Sequence, residues 1–143
     1  MSDAAKNGKR RSIHDLLEEA RKTLHRLTPA EAVHAQRAGA ILVDTRSPDQ
    51  RRAQGSVPGA REYPLSELEW WLDPDSGHSD PHVGLDDWIV LLCAEGYSSS
   101  LAAARLQSLG FTRATDVIEG VEGWKAAGLP LSPGRRADPP AAQ

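Results

Sequence analysis

Cysteine is almost missing from these 143 residues: Cys93 stands alone, so an internal disulfide framework is excluded and nothing argues for an oxidising compartment. Long apolar runs are missing too. None approaches the ~20 residues needed to cross a bilayer, and the amino terminus is polar and basic with no apolar stretch behind it. No membrane association is expected, and the cytoplasm is the expected compartment. A basic excess is also absent, because 17 Lys and Arg against 20 Asp and Glu leave a net charge of -3. Nucleic acid is therefore not an expected partner. There are no internal repeats. What is present, 39% hydrophobic and 26% charged residues in a chain of ordinary domain length, is the composition of a globular protein with one core.

The chain is organised around residues 88–110. Trp88-Ile89-Val90-Leu91-Leu92 is an apolar run suited to a strand buried on both faces. Cys93-Ala94-Glu95-Gly96-Tyr97-Ser98 follows as a tight loop. Ser99 to Leu109 then reads as a helix, with serines as N-cap, an Ala and Leu run of high propensity and Gly110 as C-terminal cap. Cys93 thus stands at the carboxyl end of a core strand, facing the amino end of a helix. Unpaired amides there favour a thiolate, and Gly96 lets the backbone curl so that successive N–H groups form an anion nest. Taken alone, a lone cysteine at a strand end reads as inert core filling. The loop and the capped helix tip the balance toward chemistry.

From Cys93 to Ser99, followed by Leu-Ala-Ala-Ala-Arg-Leu, the sequence resembles the active-site loop of single-domain rhodaneses, the thiosulfate sulfurtransferases. Three further marks fall in family order. Ile41-Leu42-Val43-Asp44-Thr45-Arg46 looks like the first core strand with its Asp-x-Arg ending. Gly55-Ser56-Val57-Pro58-Gly59-Ala60 looks like the Gly-His-Ile-Pro-Gly-Ala turn, with Ser56 in place of histidine. Asp116 to Trp124, with Gly128-Leu129-Pro130, resembles the last strand, glycine turn and closing helix. The resemblance spans residues 28–131. It implies an α/β fold in which a small, mainly parallel five-stranded sheet is flanked by helices.

The rest of the chain fits around these marks. Residues 1–11 form a polar, basic terminus expected to be disordered, and residues 12–27 a helical extension capped by Ser12, with Ile13, Leu16, Leu17, Ala20, Leu24 and Leu27 on one face. That helix either packs on the domain or offers its stripe to a partner, and packing is the plainer reading. Residues 1–27 carry seven basic against four acidic side chains. Thr28-Pro29-Ala30-Glu31 is a capping box that opens the next helix. Strands are expected near Ala40, Arg61, Trp88 and Thr115, and their alternation with helices predicts a parallel sheet. Pro64 to Leu72 reads as a helix whose Trp70 and Trp71 are core or partner surface. Residues 72–87 are irregular. His78 and His82 beside Asp73, Asp75, Asp80 and Asp86 invite a metal reading, but Pro81 breaks the spacing and no ligand pattern is matched, so no metal and no cofactor are expected. Residues 132–143 read as a disordered tail.

The resemblance implies that Cys93 attacks a sulfane donor such as thiosulfate, carries the sulfur as a persulfide and yields it to cyanide or a thiol. A protein acceptor is also compatible. The persulfide would be held by the amides of Ala94, Glu95, Gly96, Tyr97, Ser98 and Ser99, with hydroxyl bonds from Ser98 and Ser99. Having no second cysteine, the chain must pass that sulfur to an external acceptor. Arg46 either draws in an anionic donor, as the matching arginine of rhodaneses lies near the loop, or forms a structural pair with Asp44, which orients it. Ser98 stands where many relatives have Arg or Lys, and Glu95 adds a negative charge, so thiosulfate binding is expected to be weak. Two rivals remain: a sulfur carrier or binding module dedicated to a partner, and a Cys-x5-Arg phosphatase or arsenate reductase. The latter requires an arginine where Ser99 stands.

Overall fold

A computed structural model describes residues 10–133; expectations for 1–9 and 134–143 lie outside the described residues. In chain order the elements are α1 (Ile13–Arg21), α2 (Pro29–Arg37), β1 (Ile41–Asp44), α3 (Pro48–Gln54), β2 (Arg61–Glu62), a 3-10 turn (Leu65–Glu67) leading into α4 (Leu68–Leu72), β3 (Ile89–Leu92), α5 (Ser98–Ser108), β4 (Thr115–Asp116) and α6 (Gly120–Ala126). The four strands fall near Ala40, Arg61, Trp88 and Thr115, as expected. They form a parallel sheet in the order β2-β1-β3-β4.

The expected five-stranded sheet is corrected to four strands among the described residues. Leu27 occupies the fifth position as a single parallel bridge to Val117, its N–H bonded to Asp116 O at 3.0 Å and its carbonyl accepting from Ile118 N at 2.8 Å. Pairing stops there because Thr28 caps α2 through Glu31 N and Pro29, with no N–H to give a ladder, takes the first helical position.

Alternation along the central strands builds two core layers. Leu42, Val90 and Leu92 point to one face, where Ala32, Ala35, Val121 and Trp124 of α2 and α6 cover them. Val43, Ile89 and Leu91 point to the other, against Leu68, Leu72, Ala102, Ala103 and Leu106 of α4 and α5. All four residues of β3 are buried, so Cys93 emerges from the best-covered strand of the sheet.

The amino-terminal helix packs on α5 but is shorter than its stripe implied. Ser12 and Asp15 form the capping box, and the helix ends at Arg21. Leu27 enters the core, whereas Ile13 and Leu16 stay exposed. Ser132, which the sequence assigns to the tail, exchanges backbone hydrogen bonds of 2.8 and 2.9 Å with Ser56. Trp70 and Trp71 are both exposed, Trp71 stacking on Tyr63 at 5.3 Å between ring centroids. In the 72–87 stretch, Asp80 accepts from Arg61 Nη1 at 2.6 Å, from the Tyr63 hydroxyl and from His82 N at 2.9 Å. Among the described residues no cluster of three or more His, Cys, Asp or Glu is arranged to hold a metal.

Candidate active site

Cys93 sits just beyond β3, 6% exposed, at the floor of a cleft of about 490 Å³. Its Sγ accepts from Gly96 N at 3.1 Å and Ser99 N at 3.4 Å, and its S–H donates to Ser99 Oγ at 3.2 Å. The N-cap of α5 is Tyr97, which makes no side-chain cap bond, so the expected serine cap is replaced by the sulfur itself. The serines turn inward instead. Ser99 Oγ donates to Asp116 Oδ2 at 2.7 Å and Ser100 Oγ to the same oxygen at 2.8 Å.

Three carbonyls of the loop are tied to neighbouring elements. Cys93 O accepts from Val121 N at 2.9 Å and Ala94 O from Glu122 N at 3.0 Å, both in the first turn of α6. Gly96 O accepts from the guanidinium groups of Arg21 and Arg26 at 2.7 and 3.1 Å. Two glycines permit this close approach. A Cβ at Gly120, φ 54°, would collide with Cys93 O and stand 2.8 Å from Gly96 N. One at Gly96, φ 88°, would stand 2.7 Å from Glu119 N.

Burial pushes the Cys93 thiol up. Hydrogen bonds from the hydroxyls of Ser99 and Ser98, then from the amides of Ser99 and Gly96, outweigh it and hold the pKa below the ordinary thiol value. The site can therefore stabilise negative charge on sulfur, which is what a nucleophile needs.

Ala94, Glu95, Tyr97 and Ser98 line the cleft beside Cys93, while Gly96 and Ser99 lie buried behind the sulfur. Arg46 lines the opposite wall but is 1% exposed, and its guanidinium is engaged. Its Nε and Nη2 reach Asp44 at 3.0 and 2.7 Å, and Nη2 also reaches Gly55 O at 2.8 Å. Of its two readings, the structural pair with Asp44 accounts for the geometry. Arg21, Arg26, Ser100, Asp116 and Gly120 belong to the site although the sequence reading gave none of them a role there. Gly120 carried a signal, since glycine is the residue that tolerates a positive φ and a close approach of backbones. The arginines carried none, because their partners lie 70 to 90 residues away.

The rhodanese-like domain family matches residues 28–127. A curated relative, thiosulfate sulfurtransferase GlpE of Ectopseudomonas mendocina, is 34% identical over 102 residues, covering 71% of this chain and 84% of its own length. Among solved structures, a Rhodopseudomonas palustris protein of unknown function, described as a possible tyrosine phosphatase, superposes with a TM-score of 0.78 at 32% identity, covering 85% of this chain and 95% of that one. The human single-domain sulfurtransferase TSTD1 gives a TM-score of 0.60 at 29% identity, covering 71% and 95%. In the span matched, in sequence and in fold, the chain belongs to the rhodanese-like domain family.

Proposed function

We propose that this protein is a sulfurtransferase that carries sulfane sulfur on Cys93 between a donor and a thiophilic acceptor. The observation that carries the reading is the cradle around one cleft-facing sulfur: two amides aimed at Sγ and a serine hydroxyl beside it. Thiosulfate sulfurtransferase relatives support the general activity. The Cys93 thiolate attacks the outer sulfur of thiosulfate, the donor's S–S bond breaks, and its electron pair leaves with sulfite. The persulfide that remains is anionic at its outer sulfur, and the Gly96 and Ser99 amides keep Sγ in place beneath it. Attack on the outer sulfur by cyanide or a thiolate then releases thiocyanate or a new persulfide and restores Cys93.

The cleft argues for a donor less charged than thiosulfate. Arg46 is the one cation among the described residues that line it, and its donors go to Asp44, Gly55 and Gln54, while Glu95 is exposed at the rim. Phosphoryl transfer lacks support, because Ser99 stands where an arginine would clamp the phosphate. The test is thiocyanate formation from cyanide with thiosulfate or a singly charged organic persulfide as donor, wild type beside Cys93→Ala. Turnover that vanishes in the variant, with the persulfide the better donor, is expected. Equal turnover in the variant would overturn the reading, and sulfur that loads once without turnover would make the chain a carrier.

A further inference from the structure

Two arginines that precede the family-matched residues 28–127 close the back of the sulfur loop. Arg26 grips Asp116 with a fork, Nε to Oδ1 at 2.9 Å and Nη2 to Oδ2 at 3.2 Å, and Nη2 also reaches Gly96 O. Arg21, from the last turn of α1, donates Nη2 to Gly96 O and Nε to Ser100 Oγ at 3.0 Å, with its guanidinium 5.9 Å from the Tyr97 ring centre. Gly96 is the residue whose N–H meets the sulfur. Its carbonyl belongs to the next peptide, Gly96–Tyr97, so the two arginines anchor Gly96 at that end and limit the rotation at its Cα by which its own N–H would leave the sulfur.

Asp116 is fully buried and touches sulfur only through Ser99. The Ser99 hydroxyl has one proton to give. While Cys93 is a thiol, that proton goes to Asp116 and the oxygen accepts the S–H. Once the thiol proton has left to solvent, the hydroxyl can turn its own proton onto the sulfur, because Asp116 remains bonded to Ser100 and Arg26. We propose that Arg21 and Arg26 are positioning residues of the sulfur site: they anchor Gly96 through its carbonyl so that its N–H stays on Cys93, and they hold Asp116 as the resting partner from which the Ser99 hydroxyl swings to the ionised sulfur. The consequence for sulfur transfer rests on the persulfide reading above, whereas the consequence for Cys93 ionisation does not.

Few other charges face the sulfur. Glu95 is exposed on the loop, Arg46 is paired with Asp44, and on α6 Glu122 is bonded by Gln54 while Glu119 precedes the helix at its N-cap. Arg26 and Asp116 therefore pull on the thiol in opposite senses, and this supplies the test. The pH midpoint of Cys93 alkylation by iodoacetamide is measured on the full chain for wild type, Arg26→Gln, Arg26→Lys, Arg21→Gln and Asp116→Asn. In Arg26→Gln an uncompensated Asp116 captures the Ser99 proton and repels the thiolate, so the midpoint rises by roughly half to one pH unit, up to tenfold less thiolate below the midpoint. In Asp116→Asn the hydroxyl is freed and Arg26 is uncompensated, so the midpoint falls by a similar amount. Arg26→Lys, keeping the charge without the fork, shifts less than Arg26→Gln. Mere loosening of the loop would raise every midpoint, so an upward shift in Asp116→Asn, or no separation between the two variants, overturns the proposal. Should Arg26→Gln fail to fold, Arg21→Gln still carries the test through Gly96, with a smaller rise expected and none overturning it. Sulfur loading is followed in parallel. A wild type that takes no sulfur defeats the persulfide reading and leaves the midpoints to decide the positioning.

Discussion

Two loops flank β3, and they are built on different plans. The segment before it, residues 73–87, is long and irregular and is held by the buried Val83 side chain and by one carboxylate, Asp80, which accepts from Arg61 and Tyr63 and, within the segment, from the His82 amide. The segment after it, residues 93–97, is short, and its carbonyls at 93, 94 and 96 are bound by α6 and by two arginines from the amino-terminal extension. One loop is pinned at a few scattered points and the other is fixed along most of its length. The difference follows from what each must do. A cradle for a charged sulfur needs its amides oriented before the charge arrives, and the bound carbonyls at 93, 94 and 96 anchor the stretch of backbone that carries the Gly96 amide.

The contrast breaks most severely at Gly120. Gly120→Ala places a methyl group against Cys93 O, and sulfur loading is expected to fall by about two orders of magnitude, with a stability loss on the order of 2–4 kcal/mol, read by loading rate and thermal melting. Ser99→Ala comes next. It removes a hydroxyl that holds the thiol pKa down, so the alkylation midpoint moves to higher pH by about one unit while melting changes little. The sign follows from linkage. A thiol depressed in the fold adds stability fully above its unfolded pKa of about 8.5 and loses it as pH falls through the folded value. Wild-type loading should therefore fade toward acid pH, and loading by Ser99→Ala at a higher pH.

Asp80→Asn sharpens the comparison from the other side. It should lower stability by about 1–2 kcal/mol and speed hydrogen exchange across residues 73–87, yet leave sulfur loading within about twofold of wild type. In the wild type the same loop is acid-sensitive. The Tyr63 hydroxyl first, then the His82 amide and Arg61, outweigh burial and hold the Asp80 carboxyl below its ordinary range. Its contribution is present above the unfolded value of about 3.9 and lost as pH falls through the lower folded one. The smallest effect is expected at Ser56, whose buried Oγ has no hydrogen-bond partner. Ser56→Ala should change stability by no more than about 0.5 kcal/mol, with a gain as the favoured direction, measured by denaturant titration.

What was legible in the sequence was local. The two central strands followed from apolar runs bounded by turn residues, the α2 start from Thr28-Pro29-Ala30-Glu31, and the cysteine loop from a strand end meeting a helix start. What was not legible came from distance in the chain. Nothing near Arg21 or Arg26 hints at Gly96, and nothing near Asp116 marks it as the acceptor for two serines seventeen and sixteen residues earlier. The serine cap was misread because a sulfur from the preceding strand already occupies the cap position, leaving the hydroxyls to the buried carboxylate. The α1 stripe was overextended because Leu27, in phase with a helix, is drawn off to bridge Val117. Arg46 was offered two roles, and the burial that decides between them depends on Asp44, Gln54 and Gly55 closing around it.

The central claim is that the cradle exists to hold sulfur on Cys93, and intact mass tests it most directly. The purified full chain is weighed before and after incubation with thiosulfate or an organic persulfide, beside Cys93→Ala, and again after cyanide. The account predicts a gain of one sulfur atom on the wild type alone, lost to cyanide as thiocyanate appears. A wild type that gains no sulfur from either donor, or a variant that gains as much, would contradict it.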